Sequence, residues 1–269
     1  MMTNRKRPFA VCASLGLVLL GLAATPARAA AVTVAAAGDI ALADSPGTAQ
    51  TQTANLIGAF DPTAVFPLGD EQYEDGALSD FQSSYDPTWG QYLDRSYPVV
   101  GNHEYQTPGA SGYYTYFGAR AGDPSKGYYS FNLGDWHIVA LNTECKQINC
   151  AAERTWLKAD LDADTHTCDA LLWHRTGTKF PTTIGSDKHV DLGLAGHKHV
   201  YERYAPVGSF HRFTVGTGGK SIGKLSGTQV FGAQAFGILR LTLSDGSYTY
   251  AFQDVTGAIL DSGSGTCTA

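Results

Sequence analysis

Apolar residues fall in short runs along the chain, and five of those runs stop on a side chain that offers a lone pair. Residues 32–37 lead into Gly38-Asp39, 64–68 into Gly69-Asp70, and 98–100 into Gly101-Asn102-His103-Glu104. Residues 170–173 lead into His174, and 192–195 into Gly196-His197-Lys198-His199. Short apolar runs bounded by glycine predict buried strands. Glycine before the donor lets the backbone turn sharply there. In open α/β sheets, ligands bind at the carboxyl ends of the strands. The same pattern predicts a helix over residues 48–60, with Ala54, Leu56, Ile57 and Phe60 apolar and Asp61-Pro62 as its stop. Strand, helix and strand in this order predict a right-handed parallel unit, with a third strand opening at Pro98.

Residues 75–89 are expected to be helical in parts, with aromatics at Phe81, Tyr85 and Trp89. Residues 105–127, rich in Gly, Tyr and Ser, read as a long ordered loop. Residues 128–142 predict a hairpin turning at Leu133-Gly134-Asp135. The strongest helical pattern is 151–162, with Trp156, Leu157 and Leu161 on one face. Strands are expected at 168–173, 190–195, 210–215, 238–243 and 248–253, the last two joined at Ser244-Asp245-Gly246-Ser247. Residues 176–188 are polar and carry no clear period. There is no internal repeat or linker, so residues 30–269 are expected to form a single α/β domain.

Residues 1–29 change the reading of the rest. Arg5-Lys6-Arg7, an uncharged and mostly apolar stretch over 9–24, and Ala27-Arg28-Ala29 form the pattern of a secretory signal peptide. The rival, an uncleaved anchor, has only sixteen residues to cross a bilayer. A secreted protein is therefore expected, with no membrane contact after cleavage. Removing the four basic residues of 1–29 from 19 leaves 15 against 25 acidic residues, a net charge of −10. Such a surface does not attract nucleic acid by general electrostatics. Four cysteines remain after Cys12 leaves. An even count in an exported chain suggests two disulfides. Of three possible pairings, Cys145–Cys150 would close a short loop and Cys168–Cys267 would pin the tail to a core strand. No Cys-x-x-Cys spacing supports a cysteine metal site.

Asp39, Asp70, Asn102, His174, His197 and His199 together form an oxygen and imidazole donor set. That mixture suits borderline divalent metals and trivalent iron, not soft metals. Asp70 has two carboxylate oxygens and can bridge two ions, as in two-metal hydrolases. Singly, each donor is equally a turn or capping residue. Six of them together, at five strand ends, are not.

Gly38-Asp39, Gly69-Asp70-x-x-Tyr73, Gly101-Asn102-His103-Glu104, a lone His174 and Gly196-His197-Lys198-His199 resemble the calcineurin-like metallophosphoesterases. Tyr73 and Val200-Tyr201-Glu202-Arg203 resemble the purple acid phosphatase branch, as a secreted bacterial type. The resemblance spans roughly residues 32–260 and its motifs are specific in combination. It implies a four-layer α/β/β/α sandwich. It implies that Asp39, Asp70, Tyr73 and His199 hold one ion, Fe(III), and that Asp70, Asn102, His174 and His197 hold a second, divalent ion (Zn, Fe or Mn). It implies hydrolysis of small phosphate monoesters by attack of a metal-bound hydroxide, with His103 reaching the phosphate or protonating the leaving group. Arg175 is a weaker candidate for phosphate contact.

Two features depart from the family pattern. Position 41 is alanine where many relatives carry histidine; the purple acid branch also lacks that histidine and uses the tyrosine instead, so this departure agrees with the resemblance. After His174 the family's proline-containing segment is replaced by Arg175-Thr176-Gly177-Thr178, and only 22 residues separate His174 from His197. A missing helix there would distort the pocket wall. Two rival functions follow: a phosphodiesterase or nucleotidase on the same site, and a catalytically inactive, metal-stabilised extracellular binding protein. His137 reads as a structural residue, and His166, His189 and His211 carry no motif. Gly219-Lys220-Ser221-Ile222-Gly223 matches a serine nucleophile elbow literally, but no histidine follows Ser221. It reads as a glycine-rich loop near the site.

Overall fold

The computed structural model describes residues 1–3, 30–43 and 48–268. The signal sequence expected at 1–29 lies, beyond its first three residues, outside the described residues. Strand β1 (Val32–Ala37) leads through the short β2 (Ala41–Leu42) to helix α1 (Thr48–Phe60) and β3 (Ala64–Pro67). β4 (Gln72–Tyr73) pairs with β2 in a small parallel sheet. A helical tract follows: α2 (Leu78–Asp80), a π turn at Phe81–Tyr85 and a 3₁₀ stretch at Trp89–Arg95. Then come α3 (Ser111–Phe117), the hairpin β5 (Tyr129–Leu133) and β6 (Trp136–Ala140), and α4 (Cys150–Ala163). The chain continues through β7 (Cys168–Trp173), α5 (Lys179–Asp187), β8 (Leu192–Ala195), β9 (Tyr201–Arg203) and β10 (His211–Val215). It ends with β11 (Phe231–Ala233), β12 (Gly237–Ser244), β13 (Ser247–Asp254) and β14 (Ile259–Thr266).

Two sheets stack face to face. One has the order β14-β13-β12-β1-β3, with β1 and β3 parallel; the other has the order β11-β9-β10-β8-β7-β6-β5, with β6, β7, β8 and β10 parallel. Aromatic side chains meet between them: Tyr201 stacks on Phe252 at 4.1 Å, Phe213 meets Tyr250, and Trp136 donates to the Ser244 carbonyl at 2.9 Å. Along β7 the pleat sends Ala170 and Leu172 into this core. It sends Leu171 and Trp173 to a second one, under α4 and α5, with Leu157, Phe180 and Ile184. Helix α1 covers the first sheet, where Phe60 lies under the Arg240 guanidinium and Ala54 and Ile57 are buried. Helix, sheet, sheet and helix make the four expected layers.

Several expectations change. No strand forms at Pro98. Tyr97 and Val99 donate to the Val65 and Pro67 carbonyls at 2.9 Å, but the return bond to Tyr97 would come from residue 67, a proline without an N–H. Half the ladder is missing, and the segment runs beside β3 as extended chain. The loop expected over 105–127 contains α3, whose Phe117 packs edge-on against Phe81 and Tyr85 and whose Tyr113, one turn earlier, is buried against Phe117. A helix does form between His174 and His197: α5 buries Phe180, Pro181 and Ile184, so the pocket wall is present. Strand β14 gave no apolar signal. Its glycines let the Tyr248 and Tyr250 rings lie flat on it; a Cβ at Gly263 would stand 2.5 Å from the Tyr250 hydroxyl. Both expected disulfides are present, Cys145–Cys150 and Cys168–Cys267. No helix among the described residues is long and apolar enough to cross a membrane.

Candidate metal centre

The carboxyl ends of β1, β3, β7 and β8 open on one point, where the sequence placed its donors. Asp39, Asp70 and His197 each take a left-handed backbone conformation, with φ of 60°, 51° and 70°. Non-glycine residues avoid that region, and its occupation at functional sites marks backbone held by its surroundings. Here the surroundings are hydrogen bonds between the strand ends. The Asp39 and Ile40 amides donate to the Gly69 and Asp70 carbonyls at 3.0 Å. The His197 amide donates to Asp39 Oδ2 at 2.8 Å, and the His103 amide to Asp70 Oδ1 at 2.8 Å. Gly69 has φ of 83°, and a Cβ there would stand 2.5 Å from the His174 ring. Gly101 comes as near to Asp70: its Cβ would be 2.2 Å from the Asp70 amide.

The side chains fall into two halves joined by Asp70. In one, the Tyr73 hydroxyl lies 2.8 Å from Asp39 Oδ1, 3.0 Å from Asp70 Oδ2 and 3.3 Å from His199 Nε2. His199 Nε2 is 3.2 Å from Asp39 Oδ1, and its Nδ1 meets the Ser221 hydroxyl at 2.6 Å. In the other, His174 Nε2 stands 3.2 Å from Asp70 Oδ2, and Asp70, His174 and His197 bring one ligand atom each within 4.8 Å of the others. His174 Nδ1 points at the Leu68 carbonyl, 2.9 Å away, which turns Nε2 toward Asp70 as the atom that a cation would take in place of a proton. Asn102 sits between Gly101 and His103, with its Oδ1 buried and unpartnered.

These residues fit a pair of cations. His174 Nε2 and Asn102 Oδ1 are both buried without an aligned hydrogen-bond partner, a costly state unless another atom fills it. The single Tyr73 proton faces two carboxylates and cannot serve both at once. Two buried carboxylates, Asp39 and Asp70, stand next to each other's partners. The titration of the groups shows the same crowding. Burial drives the Tyr73 phenol far above its usual range, and Asp39 and Asp70 push it further. Burial works to lower His174, but the Asp70 carboxylate outweighs it and pushes the imidazole up to about 10. Burial, then His174 and Arg175, brings His197 down to about 4.

The remaining predicted residues stand at the rim. The His103 ring packs 4.3 Å from that of Tyr73, with Nε2 3.9 Å from Asp70 Oδ2 and Nδ1 against the Glu74 carbonyl. Arg175 reaches inward, and its Nη1 donates to His197 Nε2 at 3.2 Å. Three residues without a predicted role support the site. Glu144 grips Arg175 through both carboxylate oxygens, at 3.0 and 3.2 Å. Buried Glu104 accepts from the Gly101, Asp70 and Gln72 amides; burial, then Asp70, pushes it up to about 7. Ser221 belongs to the glycine-rich loop read from the sequence, whereas Glu144 has no sequence signal because its partner lies 31 residues away.

The solved structures decide the fold. A purple acid phosphatase from yellow lupin (Lupinus luteus) seeds superposes with a TM-score of 0.75 at 17% identity, covering 91% of this chain and 55% of that one. The fold is that of the metallophosphoesterases. A dimetal phosphatase from Danio rerio shares the fold with a TM-score of 0.61 at 12% identity, over 88% of this chain and 99% of that one. So does GAP50, described as the anchor in the inner membrane complex of Plasmodium, with a TM-score of 0.68 at 13% identity, over 89% and 90%. No family model matches the sequence, and no curated protein matches it. This chain spans about half the length of the lupin protein.

Proposed function

We propose that this protein is an exported metal-dependent phosphatase of the purple acid type, acting on small phosphate monoesters. The observation that supports it most is the convergence of Asp39, Asp70, Tyr73, His174, His197 and His199 on one point, with His174 Nε2 left without an aligned partner there and the Oδ1 of Asn102 buried and unpartnered. Asp39, Asp70, Tyr73 and His199 would hold one ion, and Asp70, Asn102, His174 and His197 the other. A phenol ligand such as Tyr73 suits Fe(III), with Zn, Fe or Mn as the divalent partner. When bound, such a pair polarises phosphoryl oxygens and provides a nucleophilic water at neutral pH.

The chain's own residues do the rest. Arg175 presents its guanidinium to the phosphate, and Glu144 keeps its planar fork from swinging away. His103, over Tyr73 and open on one side, carries the proton that the leaving alkoxide needs. Asp70 aligns both halves. The two disulfides and the sequence at 1–29 support export. The lupin and zebrafish proteins are phosphatases by name, which supports the reaction class.

The test is turnover of a phosphate monoester, a diester and a nucleotide, with elemental analysis and a visible spectrum. A monoester preference, two metals per chain and a broad phenolate-to-iron band lost in Tyr73→Phe are expected. A preference for the diester or nucleotide replaces the substrate assignment, and two bound ions without hydrolysis of any ester makes the protein a binder.

A further inference from the structure

At the end of the seven-stranded sheet opposite the candidate metal centre lies a second set of ligand-type side chains. His137 is the second residue of β6, Asp164 caps the C-terminus of α4, and His166 follows it before β7. His166 Nδ1 is 2.6 Å and His137 Nδ1 3.8 Å from Asp164 Oδ1, and one ligand atom from each of the three lies within 4.8 Å of the others. A tetrahedral zinc with bonds near 2.0–2.1 Å needs donors roughly 3.3 Å apart, inside this spread.

The hydrogen bonds around His137 point the same way. Its Nε2 meets Asp160 Oδ2 at 2.8 Å, and the Ser130 hydroxyl donates to Asp160 Oδ1 at 2.9 Å. A carboxylate on the far nitrogen is the usual support of a metal-bound imidazole: it takes the Nε2 proton and leaves Nδ1 as a lone pair. That lone pair then faces Asn132 Oδ1 at 3.0 Å and Asp164 Oδ1, which are acceptors as well. That crowding of acceptors leaves room for one positive species among them, a metal cation or a proton on His137 Nδ1. Asp169, cross-strand partner of His137, adds a buried carboxylate oxygen with no hydrogen-bond partner. A cleft of about 360 Å³ opens on the group, lined by Ser130, Asn132, His137, Asp160 and Asp164.

We propose that His137, Asp164 and His166 form a separate, structural site for a zinc-class divalent cation, tying the end of α4 to β6 and the start of β7. It is independent of the phosphatase reading, because it shares no residue with the first centre. The alternative occupant is a proton on His137, making a plain imidazolium network.

Zinc per chain is measured by elemental analysis after gel filtration, in wild type, His166→Ala and Asp164→Asn, with circular dichroism as the folding check. His166 is partly exposed, so its truncation leaves the core intact. Both variants are expected to lose one zinc equivalent per chain. In an Asp70→Asn background, zinc is expected to raise the melting temperature, and adding His166→Ala is expected to abolish that rise. Wild-type zinc content in both folded variants, or an undiminished zinc-dependent rise in the double variant, overturns the site and leaves the imidazolium network.

Discussion

Asp70 is the single side chain with most to lose. Its Oδ2 lies within 3.0–3.2 Å of groups from both halves of the site. Asp70→Ala is expected to remove bound metal and to lower turnover at least a thousandfold, read by elemental analysis and ester hydrolysis; retention of both metals and full activity would falsify the two-cation reading. His103→Ala should cost about 10²–10⁴ in kcat with metal content unchanged, since it removes a proton donor and no ligand. Gly69→Ala forces a methyl into the His174 ring and an unfavourable φ together, so both stability and metal uptake should drop. Away from the site, Glu153 is buried with Oε1 accepting from the Asn142 amide and Oε2 unpartnered, and burial pushes it up to about 8. A carboxyl raised this way favours the folded state below its unfolded value near 4.5, and that advantage is lost as pH rises through 8. Glu153→Gln removes the titration. From pH 5 to pH 9 wild-type stability should fall relative to the variant by on the order of 1–3 kcal/mol, and parallel melting curves would reject this.

At the scale of elements, most of the sheet and its main helices were legible in the chain. Residues 48–60 and 168–173 form α1 and β7 within the expected bounds, because each carries one clear period or one unbroken apolar run. What failed to show in sequence were elements whose stability comes from a neighbour. Helix α3 is spelled in glycine and tyrosine, and its Phe117 is buried by the Phe81 and Tyr85 rings of another segment. Helix α5 is polar along most of its length and is held by Phe180 and Ile184 under the sheet. The Pro98 segment misled for the converse reason: its own residues suit a strand, but its partner offers a proline. Phe180→Ala should lower stability by about 3–5 kcal/mol as a core truncation. It should also reduce activity, since α5 follows directly from the His174–Arg175 wall; a denaturation midpoint unchanged from wild type would count against that wall.

For the molecule as a whole, two kinds of staple carry predictions. Cys168–Cys267 closes 99 residues and Cys145–Cys150 only 5. On chain-entropy grounds the first should be worth about 4–5 kcal/mol and the second about 2. Serine pairs should therefore melt in that order, and equal losses would show that loop length is not what matters. Bound ions should act likewise: at about a thousand times their dissociation constant they add roughly 4 kcal/mol, so a chelator should lower the melting temperature by roughly 10 °C. The candidate donors form a local pattern in the sequence, since short apolar runs ending in glycine and a lone-pair side chain are set by strand periodicity and turn geometry. The charge and the even count of four cysteines outside residues 1–29 are equally readable from the chain, whereas the choice among their three pairings came with the structure. Which atoms face each other came only with the tertiary structure. Glu144 on Arg175, Ser221 on His199, and the His137, Asp164 and His166 cluster join residues far apart or without motif. Contacts of that kind depend on how two sheets and their helices stack, which no window along the chain contains.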